Sequence, residues 1–544
     1  MLRSGGTLTR LAKAARPLRP YSSASTPRSA SVLPSSSPTS PPSRPSAAPS
    51  STPEAAEQLA QAEEELKPQP FILRPLSRRL QLKTLSSPSP SAASTTLHFL
   101  SPAAPNAPLA LTLPNLFLRD SSIHSSHVHP ASQQKLFRTT DIPLDGSLVG
   151  YGVHDVPGHG ECLVTEWSTP LSTPGVPIQA RKLSVVPVDF LAGILKDDAA
   201  HREATGVLPL EQPWDRAGLV ARLKRTDYAA FAKDDGALLE TLAALQRDGI
   251  VLLTGVPTQE REGHHTELRK VVERIGTLRS TWYGDLFDVK AVEGSKNIAY
   301  TNLDLGLHMD LTHFDSPPRY QFLHSLVNTH ITGGLSYFVD TYAVASHMHQ
   351  HSPSAFQTLC TEPVLFEYRN GPHHTRFSRP TFELKHGSSS ALHAVNYSPP
   401  FQGPLPLSRL SRAAAHRGEV ESDDSPRLGE LHDALAQFAA LCDGEAPPGS
   451  GADAAQREKW RWEHQLQPGE CVVFDNRRVL HARTGFGFDA EKAKESGEES
   501  LRWLKGAYMD GDEVWSKVRV LRAEEKRRKE QEAGGGKRGR TLFV

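Results

Sequence analysis

Leu305-Gly306-Leu307-His308-Met309-Asp310 and Phe474-Asp475-Asn476-Arg477-Arg478-Val479-Leu480-His481 are the stretches on which the reading of this chain turns. Two imidazoles and one carboxylate on one face of a metal are the ligand set of a non-heme Fe(II) oxygenase, and they leave the opposite face open. The spacing His-x-Asp has a physical reason. Side chains at i and i+2 of a β-strand point the same way, so His308 and Asp310 would grip one ion from one strand. His481 must then arrive from a facing strand, at its start, which only a folded sheet or barrel supplies. His-x-Asp by itself arises by chance in many long chains, and the residues downstream of His481 give it weight.

Downstream runs Leu501-Arg502-Trp503-Leu504-Lys505-Gly506-Ala507-Tyr508. With period two, Arg502, Leu504, Gly506 and Tyr508 share a face. An arginine turned into a barrel needs an anion, because an unpaired buried charge is costly. A dicarboxylate co-substrate would supply one and take the guanidinium fork bidentately.

Around these residues the chain resembles the Fe(II)- and 2-oxoglutarate-dependent dioxygenases of the TauD/TfdA group, and within it the gamma-butyrobetaine dioxygenase branch. The resemblance is carried by Glu273-Arg274-Ile275-Gly276, Thr281-Trp282-Tyr283-Gly284, Asn297-Ile298-Ala299-Tyr300-Thr301, Leu305 to Asp310, Ser316-Pro317-Pro318, Gly333-Gly334, Phe474 to Arg478 and Gly506-Ala507-Tyr508. It implies a mainly β fold with flanking helices, a double-stranded β-helix (jelly roll) catalytic domain at 211–525, and a small N-terminal β-domain at 71–195. It implies Fe(II) on His308, Asp310 and His481, the far carboxylate of 2-oxoglutarate on Arg502, and O2 as second co-substrate. Tyr283, Phe287, Tyr300 and Tyr508 match an aromatic cage for a trimethylammonium group. Such a cation donates no hydrogen bond and is held by ring faces, at roughly 0.5–2 kcal/mol per contact. Phe287 stands where other members carry tryptophan, a better ring for this purpose. Asn297 and Asn396 match polar positions that would orient a co-substrate or substrate carboxylate. The activity implied is hydroxylation of an unactivated carbon of a small trimethylammonium carboxylate, gamma-butyrobetaine giving carnitine. Behind it stand a trimethyllysine dioxygenase, an oxygenase of the group acting on a different small carboxylate, and a non-enzymatic interaction protein on the same fold.

The family's N-terminal domain holds zinc through three cysteines and a histidine. Here Leu118-Arg119-Asp120 matches the anchor of that site, but the cysteine positions read Ser122, His124 and His127, and no histidine follows Trp167. Structural zinc wants four good ligands. The expectation is a domain without zinc, with His124, His127 and His129 on a solvated loop.

Composition sets the outer limits. Lysine plus arginine equals aspartate plus glutamate, 61 each, so no polyanion partner is implied. Cys162, Cys360, Cys442 and Cys471 form no CxxC pair, which argues against a disulfide framework. No apolar run is long enough to span a bilayer. The expected partners are therefore a small-molecule substrate, with neither nucleic acid nor membrane, and a homodimer stays open. Residues 1–53 carry seven basic residues and no acidic one, with Leu2, Leu8, Leu11 and Leu18 set against Arg3, Arg10, Lys13 and Arg16. That is the composition of a transit peptide to the mitochondrial matrix. Residues 1–70 are read as this leader followed by a disordered Ser/Pro/Ala stretch, with a short helix over Glu54–Leu66. Strands are expected at Thr96–Phe99, Leu109–Leu113, Glu161–Trp167, Ile250–Leu253, Gln321–Leu326 and Tyr337–Asp340, and a helix through Leu238, Leu239, Leu242 and Leu245. Low-complexity loops are expected at 403–428 and 443–455, a charged insertion at 489–500, and a basic disordered tail at 526–544.

Overall fold

The computed structural model describes residues 81–86, 93–101, 104–129, 131–172, 178–196, 211–290, 305–407, 425–444, 459–488, 491, 495 and 501–533. The leader, the 54–66 helix, Asn297, Tyr300, nearly all of 489–500 and the chain beyond 533 lie outside the described residues.

The long uninterrupted apolar runs of this sequence are strands buried on both faces. Ile250–Leu253 are buried and Thr254 half-buried, Cys471–Asp475 is buried throughout, and Val479–Arg483 is equally buried although His481 and Arg483 break its apolar run. Alternate residues serve two cores. Ile250, Leu252, Leu323, Val472, Phe474 and Leu504 meet Phe338, Trp462 and Val479 in one cluster. Val251, Leu253, Tyr320, Phe322, Cys471, Val473, Ala507 and Met509 face the other way, against Leu238, Leu242, Leu245, Val271 and Val272.

The first cluster lies between two sheets. The large one has the order Arg225–Asp227, Ile250–Thr254, Cys471–Asp475, Tyr320–Thr329, Leu501–Met509, Leu286–Lys290; the small one has Leu305–His308, Val479–Arg483, Ser336–Asp340, Arg461–His464. All pairs are antiparallel except the first of the large sheet. Helices Asp235–Asp248 and Glu267–Ile275 cover the outer face of the large sheet, and helices Thr341–His351, Pro353–Thr361 and Ser425–Asp443 cover that of the small sheet. After its first strand the chain returns to the large sheet through a sharp stop. Helix Asp235–Asp248 is capped by Asp234, whose carboxylate accepts from Gly236 N at 2.8 Å, and ends at Gly249 with φ +72°. Glycine takes that left-handed conformation without a Cβ penalty, and the strand starts at the next residue.

Two further three-stranded sheets precede this pair: Gln81–Ser86, Ser94–Ser101, Ala104–Pro114, and Leu148–Val156, Gly160–Trp167, Leu183–Pro187. Leu97, Phe99 and Leu113 of one share a core with Leu163, Trp167 and Val186 of the other. The architecture is thus mostly β with flanking helices.

Three expectations need correction. The loop expected up to 428 gives way to a helix at Ser425, which buries Leu431, Ala434 and Phe438. The tail expected from 526 is helical as far as Ala533. Its charges have i,i+4 partners, Lys529 with Glu525 and Arg528 with Glu532, and Lys, Arg and Glu are good helix formers. His124 and His127 are not solvated but only 4% and 1% exposed; His129 alone of the three is exposed. His127 Nδ1 meets Ser122 Oγ at 3.0 Å and its Nε2 meets Ala180 O at 3.1 Å. Ser122 Oγ also accepts from Val185 N at 3.0 Å. A buried hydrogen-bond network thus ties Ser122 and His127 to the backbone at Ala180 and Val185.

Candidate metal centre

His308 closes the strand Leu305–His308, and His481 sits in the middle of Val479–Arg483. The two residues are direct partners in the antiparallel register, with ring centroids 4.2 Å apart. His481 therefore comes from the neighbouring strand of the same sheet, not from a facing strand and not from a strand's start. A cross-strand pair holds two Cβ atoms about 5 Å apart with side chains on one face, which suits two ligands of one ion.

Asp310 departs from the i,i+2 reading. The strand ends at His308, and Asp310 lies in the turn beyond it. Asn476 fixes that turn: its Oδ1 accepts from Asp310 N at 2.8 Å, and its Nδ2 donates to Asp310 O at 3.0 Å and Pro318 O at 3.2 Å. Leu311 follows with φ +59°, a left-handed conformation uncommon outside glycine. Strained residues of this kind cluster at functional sites.

The donor set fits a divalent metal. His308 Nδ1 donates to Gly306 O at 2.8 Å, which turns Nε2 toward Asp310 Oδ1, 3.4 Å away. Ligand atoms of His308, Asp310 and His481 all lie within 4.8 Å of one another. Neighbouring ligands on an octahedral ion with bonds of about 2.1 Å sit about 3 Å apart. Burial first, then His308, pushes the His481 imidazole down to about 3, so it is neutral and able to ligate at pH 7. Burial opposes the charge on Asp310, but the contacts with His308, His481 and Tyr508 outweigh it and hold the carboxyl below its ordinary range. Among the described residues no other three histidine, cysteine or acidic side chains converge in this way.

These residues line a cavity of about 100 Å³ between the sheets, together with Tyr283, Phe287, Gln321, Arg483, Arg502 and Tyr508. Arg502 and Tyr508 come from one strand of the large sheet, on the shared face that period two assigns them. Gly506 lies between them, where a Cβ would stand 2.2 Å from the Phe287 ring, so its bare backbone makes room for that ring. Arg502 is 4% exposed, and no carboxylate among the described residues pairs with it. Burial, then the neighbouring Arg483, pushes its guanidinium down to about 9. A buried cation beside a second cation is a site for an anion.

Tyr283, Phe287 and Tyr508 stand together: Phe287 stacks on Tyr508 at 4.8 Å and lies 6.4 Å from Tyr283. Asn396 is not brought to them. Its amide donates to Pro380 O at 2.8 Å and Glu383 Oε1 at 2.9 Å, so no donor is left for a substrate carboxylate. Asn297 and Tyr300 lie outside the described residues.

Sequence reasoning passed over three residues. Asn476 was visible inside the Asp475-Asn476-Arg477-Arg478 run, but not its grip on Asp310. Arg483 is two residues beyond His481 and so shares its face. Gln321 had no signal beyond its strand; its Nε2 donates to Asp310 Oδ2 at 2.8 Å.

A histidine pair and a carboxylate lining a cavity between two sheets, with a buried guanidinium in its wall, are the features of a metal-dependent oxygenase site. Residues 209–508 match the model of the "Taurine catabolism dioxygenase TauD, TfdA family", and the chain belongs to that family. It is 35% identical over 416 residues to "Dioxygenase str8" of Strobilurus tenacellus, covering 76% of this chain and 86% of that protein. It is 28% identical over 409 residues to the gamma-butyrobetaine dioxygenase of Pseudomonas sp. (strain AK-1), covering 75% and 90%. Mitochondrial trimethyllysine dioxygenase of Mus musculus is 26% identical over 307 residues, covering 55% and 61%. The chain is accordingly a 2-oxoglutarate-dependent dioxygenase that works with Fe(II), 2-oxoglutarate and O2 on a small molecule.

Proposed function

We propose that His308, Asp310 and His481 hold the iron, that Arg502 holds the far carboxylate of 2-oxoglutarate, and that the enzyme hydroxylates an unactivated carbon of gamma-butyrobetaine. The two facing sheets are read as a double-stranded β-helix catalytic domain within 211–525, and the preceding sheets as a β-domain within 71–195. Iron with its co-substrate supplies O2 activation: one oxygen atom enters the substrate C–H bond, the other enters succinate, and CO2 leaves. The protein places the substrate, because reaction falls on the C–H bond held nearest.

The carrying observation for the substrate is the state of the ring hydroxyls. That of Tyr508 donates to Asp310 Oδ2 at 2.7 Å, the Tyr283 ring stands edge-on to Tyr368 with centroids 6.5 Å apart, and Phe287 has no hydroxyl. The cavity is thus offered ring faces, which suits a group without N–H donors. A second reading, a different small carboxylate substrate, is favoured by the spent amide of Asn396, which leaves the butyrobetaine match incomplete, and by an identity of 35% to "Dioxygenase str8" against 28% to the gamma-butyrobetaine dioxygenase. For location, the basic leader and the mitochondrial trimethyllysine dioxygenase relative both support the matrix.

Succinate release under Fe(II), 2-oxoglutarate and O2 decides between the substrates. Butyrobetaine, trimethyllysine and carboxylates without the ammonium group would be compared at equal concentration. Stimulation by butyrobetaine alone is the expected result. Stimulation only by carboxylates lacking a quaternary nitrogen would move the assignment to the second reading.

A further inference from the structure

The two carboxylate oxygens of Asp310 have different surroundings. Oδ1 faces His308 Nε2 at 3.4 Å. Oδ2 accepts twice, from Gln321 Nε2 at 2.8 Å and from Tyr508 Oη at 2.7 Å. The orientation of the Gln321 amide follows from chemistry, since an ionised carboxylate only accepts and the group facing it must be the NH2. Gln321 and Tyr508 are direct partners on adjacent strands of the large sheet, whereas His308 and His481 are direct partners on the small sheet. Asp310 thus follows the small sheet in sequence, yet its carboxylate is steered by donors from across the interior.

We propose that Gln321 and Tyr508 are positioning residues for the metal: by occupying Asp310 Oδ2 they present Oδ1 alone to the ion. A carboxylate with both oxygens free can chelate through two positions. Filling one oxygen keeps the aspartate to a single position and leaves the rest of the coordination sphere for co-substrates. This also gives Tyr508 two tasks. Its ring, stacked on Phe287, forms the substrate wall, and its hydroxyl holds the iron ligand. The inference rests on the assignment of Asp310 as a ligand.

The test is anaerobic titration of the full-length metal-free protein with Co(II), followed by its visible absorption, in the wild type and in Tyr508→Phe, Gln321→Leu and Asp310→Ala. Tyr508→Phe keeps the ring and removes the hydroxyl alone. Hydrogen-bond partners of metal ligands typically contribute 10–100-fold in metal affinity, so each of the first two variants should weaken Co(II) binding by about that factor. Thermal melting of the metal-free proteins is measured alongside; a melting point near the wild type in Tyr508→Phe separates positioning from a general loss of fold. Wild-type-like affinity in both Tyr508→Phe and Gln321→Leu, with binding lost in Asp310→Ala, overturns the positioning role and leaves the iron site intact. Wild-type-like affinity in Asp310→Ala overturns the iron-site assignment itself.

Discussion

At the scale of single residues, Arg502 shows how burial states a demand. The residue is 4% exposed, its guanidinium is lowered to about 9 by burial and by Arg483, and no described carboxylate answers it. If a dicarboxylate answers it, Arg502→Ala removes a charge-assisted pair worth roughly 3 kcal/mol and weakens 2-oxoglutarate binding by roughly 100-fold. Arg502→Lys keeps the charge but loses the planar fork, and should recover only part of the affinity. Anaerobic binding of 2-oxoglutarate to the Fe(II) protein measures both; unchanged affinity in Arg502→Ala would remove the residue from the site. Much of this scale was legible beforehand. Period two along Leu501–Tyr508 placed Arg502 and Tyr508 on one face because strand parity is a backbone property. The same rule failed at Asp310, because the strand ends two residues earlier and Asn476, distant in sequence, sets the turn.

At the scale of elements, the turn from Cys471–Asp475 to Val479–Arg483 carries the site, since it passes the chain from the large sheet to the small one. Each of its residues takes a distant partner: Asp475 with Arg319 at 2.9 Å, Asn476 with Asp310, Arg477 with Glu383 at 3.2 Å, Arg478 with Asp340 at 2.7 Å. The last pair has no side-chain exposure on either member. Asp340 also accepts from Trp214 N at 2.9 Å and caps the helix Thr341–His351 through Tyr342 N at 3.0 Å. Asp340→Asn leaves Arg478 as an uncompensated buried charge and should cost about 3–5 kcal/mol in unfolding free energy by denaturant titration. A loss below about 1 kcal/mol, the range of an exposed pair, would mean that the pair does not hold the turn. The run Ile250–Leu253 announced its strand because burial on both faces leaves no polar position to blur it; Gln321–Leu326 is equally buried but carries Gln321, His324 and Ser325 within it. Helix Ser425–Asp443 was hidden behind a serine- and charge-rich approach, although Leu431, Ala434, Phe438 and Leu441 repeat at helical spacing.

At the scale of the whole molecule, the cores enclose several imidazoles that stay neutral. Burial is the first cause that lowers His127, His313 and His324 to about 4 from 6.5, and each is 1% exposed. The unfolded chain takes up these protons near pH 6.5 and the folded chain only near 4. Stability is therefore complete above about pH 6.5 and falls as the pH drops toward 4, by at most about 3 kcal/mol per histidine. Denaturant unfolding of the metal-free protein between about pH 7 and 4 measures the slope, and His324→Gln should remove one share of it; a flat profile would contradict the buried neutral state. The sheet pairing that joins His308 to His481 was the hardest feature to foresee. Their motifs were visible, but which strands are neighbours depends on registers formed between distant segments.

The most direct test of the account is anaerobic titration of Fe(II) into the protein with 2-oxoglutarate, read as the visible metal-to-ligand charge-transfer band. One equivalent of iron should saturate the band in the wild type, and a His481→Ala protein that retains its fold should show none. An undiminished band in His481→Ala would contradict the claim that two adjacent strands and one turn build a single iron site.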